Sequence, residues 1–155
     1  MATIGARREQ GGSIAGAECP LWWLGVRAGE RVIAPQSLLA SARRILAGAE
    51  RDVSNRLHMS ACVGAQRAAA MATEAWLREE GQPIVSASVY ENVCLSPESG
   101  AEVREAARLL DRYRIDESPH GSAGEVAGSP GESAGAVLSA RCVIEFVERR
   151  MAAAG

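Results

Sequence analysis

Five residues of the chain are spaced so that they could act together: Arg44, Arg51, Asn55, His58 and Cys62 follow one another at steps of 7, 4, 3 and 4. On one continuous helix, steps of this size fall on one side of the rod. Guanidinium groups along such a face can meet successive phosphates, and each contact releases counterions. Arg43, Arg56 and Arg67 add positive charge nearby, and only Glu50 and Asp52 interrupt it. The expected nucleic-acid-binding set is therefore Arg43, Arg44, Arg51, Asn55, Arg56, His58 and Arg67, acting on an RNA or DNA backbone. A solvated outer face, which every amphipathic helix needs, is the plain alternative.

The charge of the whole chain frames this set. All 17 basic residues are Arg, and the net charge is −2. Residues 1–67 carry nine Arg and five acids, whereas residues 68–155 carry eight Arg and fourteen acids. A basic half joined to an acidic half suggests an anionic partner for the first and a protein neighbour for the second. The lack of Lys, with abundant Ala and Gly, is also what a GC-rich coding sequence produces.

Catalytic and metal signatures are sparse. There is no GxSxG, P-loop, GxGxxG or HExxH. The only histidines are His58 and His120, and the four cysteines (Cys19, Cys62, Cys94 and Cys142) stand singly in separate segments. Scattered thiols suggest a reducing, cytoplasmic setting with cysteines used as small apolar residues. Glu74, Glu79, Glu80, Glu102 and Glu105 read as solvated helix faces. No catalysis, cofactor or metal is expected. Nor is a membrane span, because no apolar run approaches the needed length.

Among the elements that must position these groups, residues 1–18 read as a flexible arm and 19–155 as one helical domain. Residues 19–34, with Trp22 and Trp23, read as a short segment plugging into the core. A helical pattern runs from Pro35 to about Glu80, as one helix or two, with Gly48 and Gly64 as weak points. Its apolar stripe is Leu38, Ala42, Ile45, Ala49, Val53 and Leu57, continuing through Ala61, Ala65, Ala68, Ala72 and Trp76. Residues 81–83 end it. Residues 84–95 suit a strand or a short helix. Ser96-Pro97-Glu98 reads as a helix start, leading to a stripe of Val103, Ala107, Leu110 and Tyr113. Residues 115–133 read as a Gly/Ser/Pro-rich loop, and 134–152 as a last helix burying Val137, Ala140, Ile144, Val147 and Met151. The sequence thus predicts an all-α bundle of four to five helices. Aromatics are only 4% of the chain, so the core is thin and suits a part of a larger assembly.

Three resemblances bear on function. Arg51-Asp52-Val53-Ser54-Asn55-Arg56-Leu57-His58 resembles the Arg…His motif of HEPN ribonucleases, all-helical domains that cut RNA across a dimer interface. By that resemblance Arg51 and His58 would be the catalytic pair. Residues 79–115 resemble a winged-helix DNA-binding core, with 87–93 as supporting helix, 97–112 as recognition helix and 119–131 as wing. Arg104, Arg108 and Arg112 would then face DNA. In size and class the chain is also similar to the small helical subunits of CRISPR effector complexes. The first reading is a non-catalytic helical subunit on a nucleic-acid backbone within a nucleoprotein complex. The second is a helical adaptor without nucleic acid, with a protein partner or a second copy. The winged-helix regulator and the HEPN-like ribonuclease follow.

Overall fold

A computed structural model describes residues 32–115 and 128–155. The expected arm, the Trp22/Trp23 segment and His120 lie outside the described residues. Contacts set Ile33–Gly155 apart as one compact unit. Its described elements are five helices: α1 (Pro35–Ser54), α2 (His58–Glu79), α3 (Val89–Val93), α4 (Ala101–Asp111) and α5 (Pro130–Ala154). No strand occurs among the described residues, so 84–95 resolves as an extended lead and the short α3.

The predicted rod over 35–80 is a hairpin of two helices. The break falls at 55–57, not at Gly48 or Gly64. Arg56 takes φ 59° there, a left-handed conformation that stops a right-handed helix. The backbone closes the turn through Arg56 N–H to Val53 O and Leu57 N–H to Asp52 O. Asp52 then accepts the Ser60 hydroxyl at 2.6 Å, stitching the two helices at the turn. Gly64 serves the close approach of this hairpin, since a methyl group there would lie 3.2 Å from Ala49 Cβ.

Helix α2 is the centre of the bundle, between α1 and α5, and α4 packs against α5. Ala61, Cys62, Ala65, Ala68, Ala69, Ala72, Ala75, Trp76 and Leu77 are all buried. Small side chains on several faces let neighbouring backbones come close, which is how an aromatic-poor chain still packs. The predicted stripe on α2 is buried as expected. On α1 the stripe is shifted: Leu38, Leu39, Ala42, Leu46 and Ala49 are buried, whereas Ile45 and Val53 are half-buried and Leu57 is exposed. Trp76 meets Phe146 edge-on, with centroids 5.7 Å apart.

Two helix starts differ from expectation. Helix α4 begins after Gly100, not at Ser96-Pro97-Glu98; residues 96–99 form a turn in which Ser96 Oγ accepts Glu98 N–H and Ser99 Oγ donates to Ser96 O. Helix α5 begins at Pro130, inside the predicted loop. Ser129 Oγ accepts Glu132 N–H while the Glu132 carboxylate accepts Ser129 N–H. This reciprocal cap satisfies two helix-end donors at once. The lead into α3 is fixed by Asp111, whose carboxylate accepts Ser88 Oγ–H at 2.5 Å, Val89 N–H at 2.9 Å and Tyr90 N–H at 3.1 Å.

Candidate nucleic-acid interface

The hairpin overturns the idea of one continuous face. Arg44, Arg51 and Asn55 lie along α1 and its C-cap, all exposed. His58 opens α2 beyond the turn, and Cys62 is fully buried. The five residues therefore form no single row: Arg44 sits at mid-helix in α1, while Arg51, Asn55, His58 and Cys62 lie toward the hairpin turn. Arg67 lies farther down α2 and is exposed.

The guanidinium groups divide sharply. Arg43 belongs to the scaffold: its Nε donates to Glu148 of α5 at 2.6 Å. Glu50 reciprocates by accepting from Arg141 at 2.6 Å. These two pairs tie α1 antiparallel to α5, so charge is exchanged in both directions between basic and acidic halves. Arg44 instead donates to Ser41 Oγ at 2.9 Å, and Arg51 makes only a long contact to Ala47 O at 3.4 Å. Among the described residues, Arg44, Arg51, Arg56 and Arg67 have no carboxylate partner. Arg43 is thus a paired cation rather than a free one.

His58 is held from behind. Its Nδ1 lies 2.9 Å from Ser133 Oγ, and Ser133 Oγ also sits 3.1 Å from Pro130 O. A carbonyl only accepts, so the single hydroxyl proton of Ser133 goes to Pro130 O. Ser133 must then accept from His58 Nδ1–H. The His58 Nε2 has no partner among the described residues. One turn deeper, the Cys62 thiol and the Tyr113 hydroxyl interact electrostatically. Burial, followed by the nearby Glu132 charge, pushes the Cys62 thiol above its ordinary range. Burial likewise raises Tyr113. Both stay protonated near neutrality, so this inner pair is a neutral plug and not a nucleophile.

The chain brings four helix ends to this place: the end of α1, the start of α2, the end of α4 and the start of α5. The approach is close. A methyl group at Gly128 would lie 2.8 Å from Met59 N and 2.9 Å from the His58 carbonyl carbon. Ser133, Tyr113 and Glu132 escaped the sequence reading. The Ser129-Pro130-Gly131-Glu132 cap pattern is the signal that would have placed α5 correctly and brought Ser133 into view.

The arginines expected on a DNA-recognition helix are engaged locally. Arg104 Nε donates to Ser99 Oγ at 2.9 Å. Arg108 bonds Glu105 and the Tyr90 hydroxyl, each at 3.1 Å, with its guanidinium 4.8 Å from the Tyr90 ring centroid. Arg112 is exposed at the α4 C-cap. The winged-helix layout fails at both ends of that helix, since 97–99 precede it and Pro130 and Gly131 of the expected wing belong to α5. No group of three metal-ligating side chains occurs among the described residues. Nor is any helix there long and apolar enough to cross a membrane.

No family model matches the sequence, and no curated protein matches it. Solved structures do match. The archaeal HEPN homologue ST0689 superposes with a TM-score of 0.66 at 17% identity, over 77% of this chain and 98% of its own. The protein TT1696 from Thermus thermophilus superposes with a TM-score of 0.65 at 27% identity, over 75% of this chain and 97% of its own. The all-helical bundle described above has the fold of the archaeal HEPN homologue.

Proposed function

We propose that the protein binds an RNA backbone with the hairpin end of its bundle, as one component of a larger assembly. The observation that carries this reading is the division of the arginines. Arg43, Arg141 and Arg150 are matched to carboxylates across helices, whereas Arg44, Arg51 and Arg56 remain exposed and unmatched among the described residues. Unmatched guanidinium groups on an exposed surface are suited to phosphate. Likeness in fold to a HEPN homologue favours RNA over DNA. The acidic remainder of the surface suits a protein neighbour.

The test is binding of labelled single-stranded RNA across a salt series. Backbone contact predicts a linear fall of log affinity with log salt. Replacing Arg44 and Arg51 by Ala and Arg56 by Asn should flatten that slope by about 2, from roughly 0.7 per lost contact on a single strand. Binding that is absent at low salt, or a slope untouched by the triple change, rejects the reading.

A second reading, RNA cleavage, is favoured by one specific observation: Ser133 holds His58 at Nδ1 and leaves its Nε2 without a partner among the described residues. A histidine so placed can take a proton from a ribose hydroxyl, and the exposed Arg51 near the end of α1 can offset phosphate charge. Cleavage lost in His58→Ala and in Arg51→Ala, with binding retained, would establish it. An intact substrate after prolonged incubation would remove it.

A further inference from the structure

A groove of about 480 Å³ lies between α2 and the 84–89 lead into α3, beside the residues that follow α4. Ala70 of α2 and Val89 are in its lining, Ile84 and Ile115 form apolar lips, and Gln66 lies among its polar groups. Gln66 stands out from every other buried polar residue described. Thr73, Ser88, Asn92, Ser96, Ser99 and Ser133 each make hydrogen bonds. Gln66 is 8% exposed and its side chain makes none. Its amide atoms are not sealed, because the sealed side-chain atoms without a partner are those of Trp76 and Arg150 alone among the described residues. The little exposure that Gln66 keeps therefore includes its amide, at the groove. A buried amide left without a partner is costly unless a ligand or water satisfies it.

We propose that this groove is a nucleobase site, with adenine the favoured ring. The amide of Gln66 offers an acceptor and a donor side by side, the pattern that matches adenine N6–H and N7. The small side chain of Ala70 leaves room for a flat ring against α2, and Ile84 and Ile115 supply apolar cover for its other face. Asn92 does not compete, since its amide is already engaged by Val85 N–H, Ser86 O and Ser88 O. The site goes beyond the phosphate surface: a nucleoside carries no phosphate, so either reading can fail while the other stands.

The experiment is titration of the full chain with adenosine and guanosine, followed by NMR shifts of the groove residues. Saturable binding is expected, tighter for adenosine. Gln66→Met, which keeps the volume and removes the amide, should weaken adenosine by about ten-fold, the value of one bidentate pair. Ala70→Leu, which fills the groove from a half-buried position, should abolish binding, with helical content checking that both variants fold. Comparing an oligoadenylate strand with an abasic strand identifies the source: a preference for the former assigns an unpaired base of a bound strand, and equal affinity assigns a free nucleoside. Absence of saturable nucleoside binding, or affinities unchanged in both variants, overturns the proposal.

Discussion

The two ends of the bundle use arginine in opposite ways. At the end away from the hairpin turn, Arg150 bridges Glu80, at 2.7 Å, and Glu98. That one side chain gathers the end of α2, the turn before α4 and the last part of α5. At the hairpin end, Arg51 and Arg56 face outward and no described carboxylate answers them. The lesson is that the residue type does not announce its role. A guanidinium with carboxylates on neighbouring helices is a clasp, and one without them is available to a ligand.

The contrast can be broken at its clasped end first. Trp76→Ala should destabilise the fold by about 3–5 kcal/mol, the usual cost of deleting a buried aromatic, read by chemical denaturation. Arg150→Ala should cost less, because the pair is partly solvated yet leaves Glu80 without its partner. At the other end, Ser129→Ala removes half of a reciprocal cap and should cost about 1 kcal/mol. That loss should be accompanied by moved His58 ring resonances in NMR, since α5 positions Ser133. The smallest stability effect belongs to the triple change at Arg44, Arg51 and Arg56: roughly 0.5 kcal/mol or less per site, with RNA affinity moving far more than the melting temperature. A triple variant that unfolds would erase the distinction between the ends.

Alkaline pH sharpens the comparison further. The folded state raises the proton affinity of Cys62 and Tyr113. Their contribution is complete below the ordinary thiol value of 9.0 and is lost as pH rises past it. Stability should therefore fall above about pH 9, and a Cys62→Ala, Tyr113→Phe double variant should show a flatter profile.

Much of the fold was legible because the helices repeat their apolar residues at three and four. The α2 stripe from Ala61 to Trp76 and the α5 stripe from Val137 to Met151 are buried as the spacing implies. The break at 55–57 was not legible. No Gly or Pro marks it, and Arg56 in a left-handed conformation is an exception that composition does not signal. The same break explains why the expected row of five binding residues dissolved. Ser96-Pro97-Glu98 misled for another reason: its serine side chain serves a local turn, while Gly100 opens the helix. Arg43 and Arg44 are neighbours in sequence, yet only the packing of α5 shows that Glu148 claims the first. Cysteine behaved unevenly too, with Cys62 buried as expected but Cys94 exposed.

The tight seat of Gly128 on the first residues of α2 has a consequence for how the hairpin end is held. The arginines of the α1–α2 hairpin are displayed without help from that seat. The imidazole of His58 acquires a defined orientation only when the C-terminal helix docks with its lead-in pressed on the hairpin. Charge display and imidazole placement thus depend on different helices, so loosening α5 would be expected to release the imidazole while leaving the exposed arginines in place.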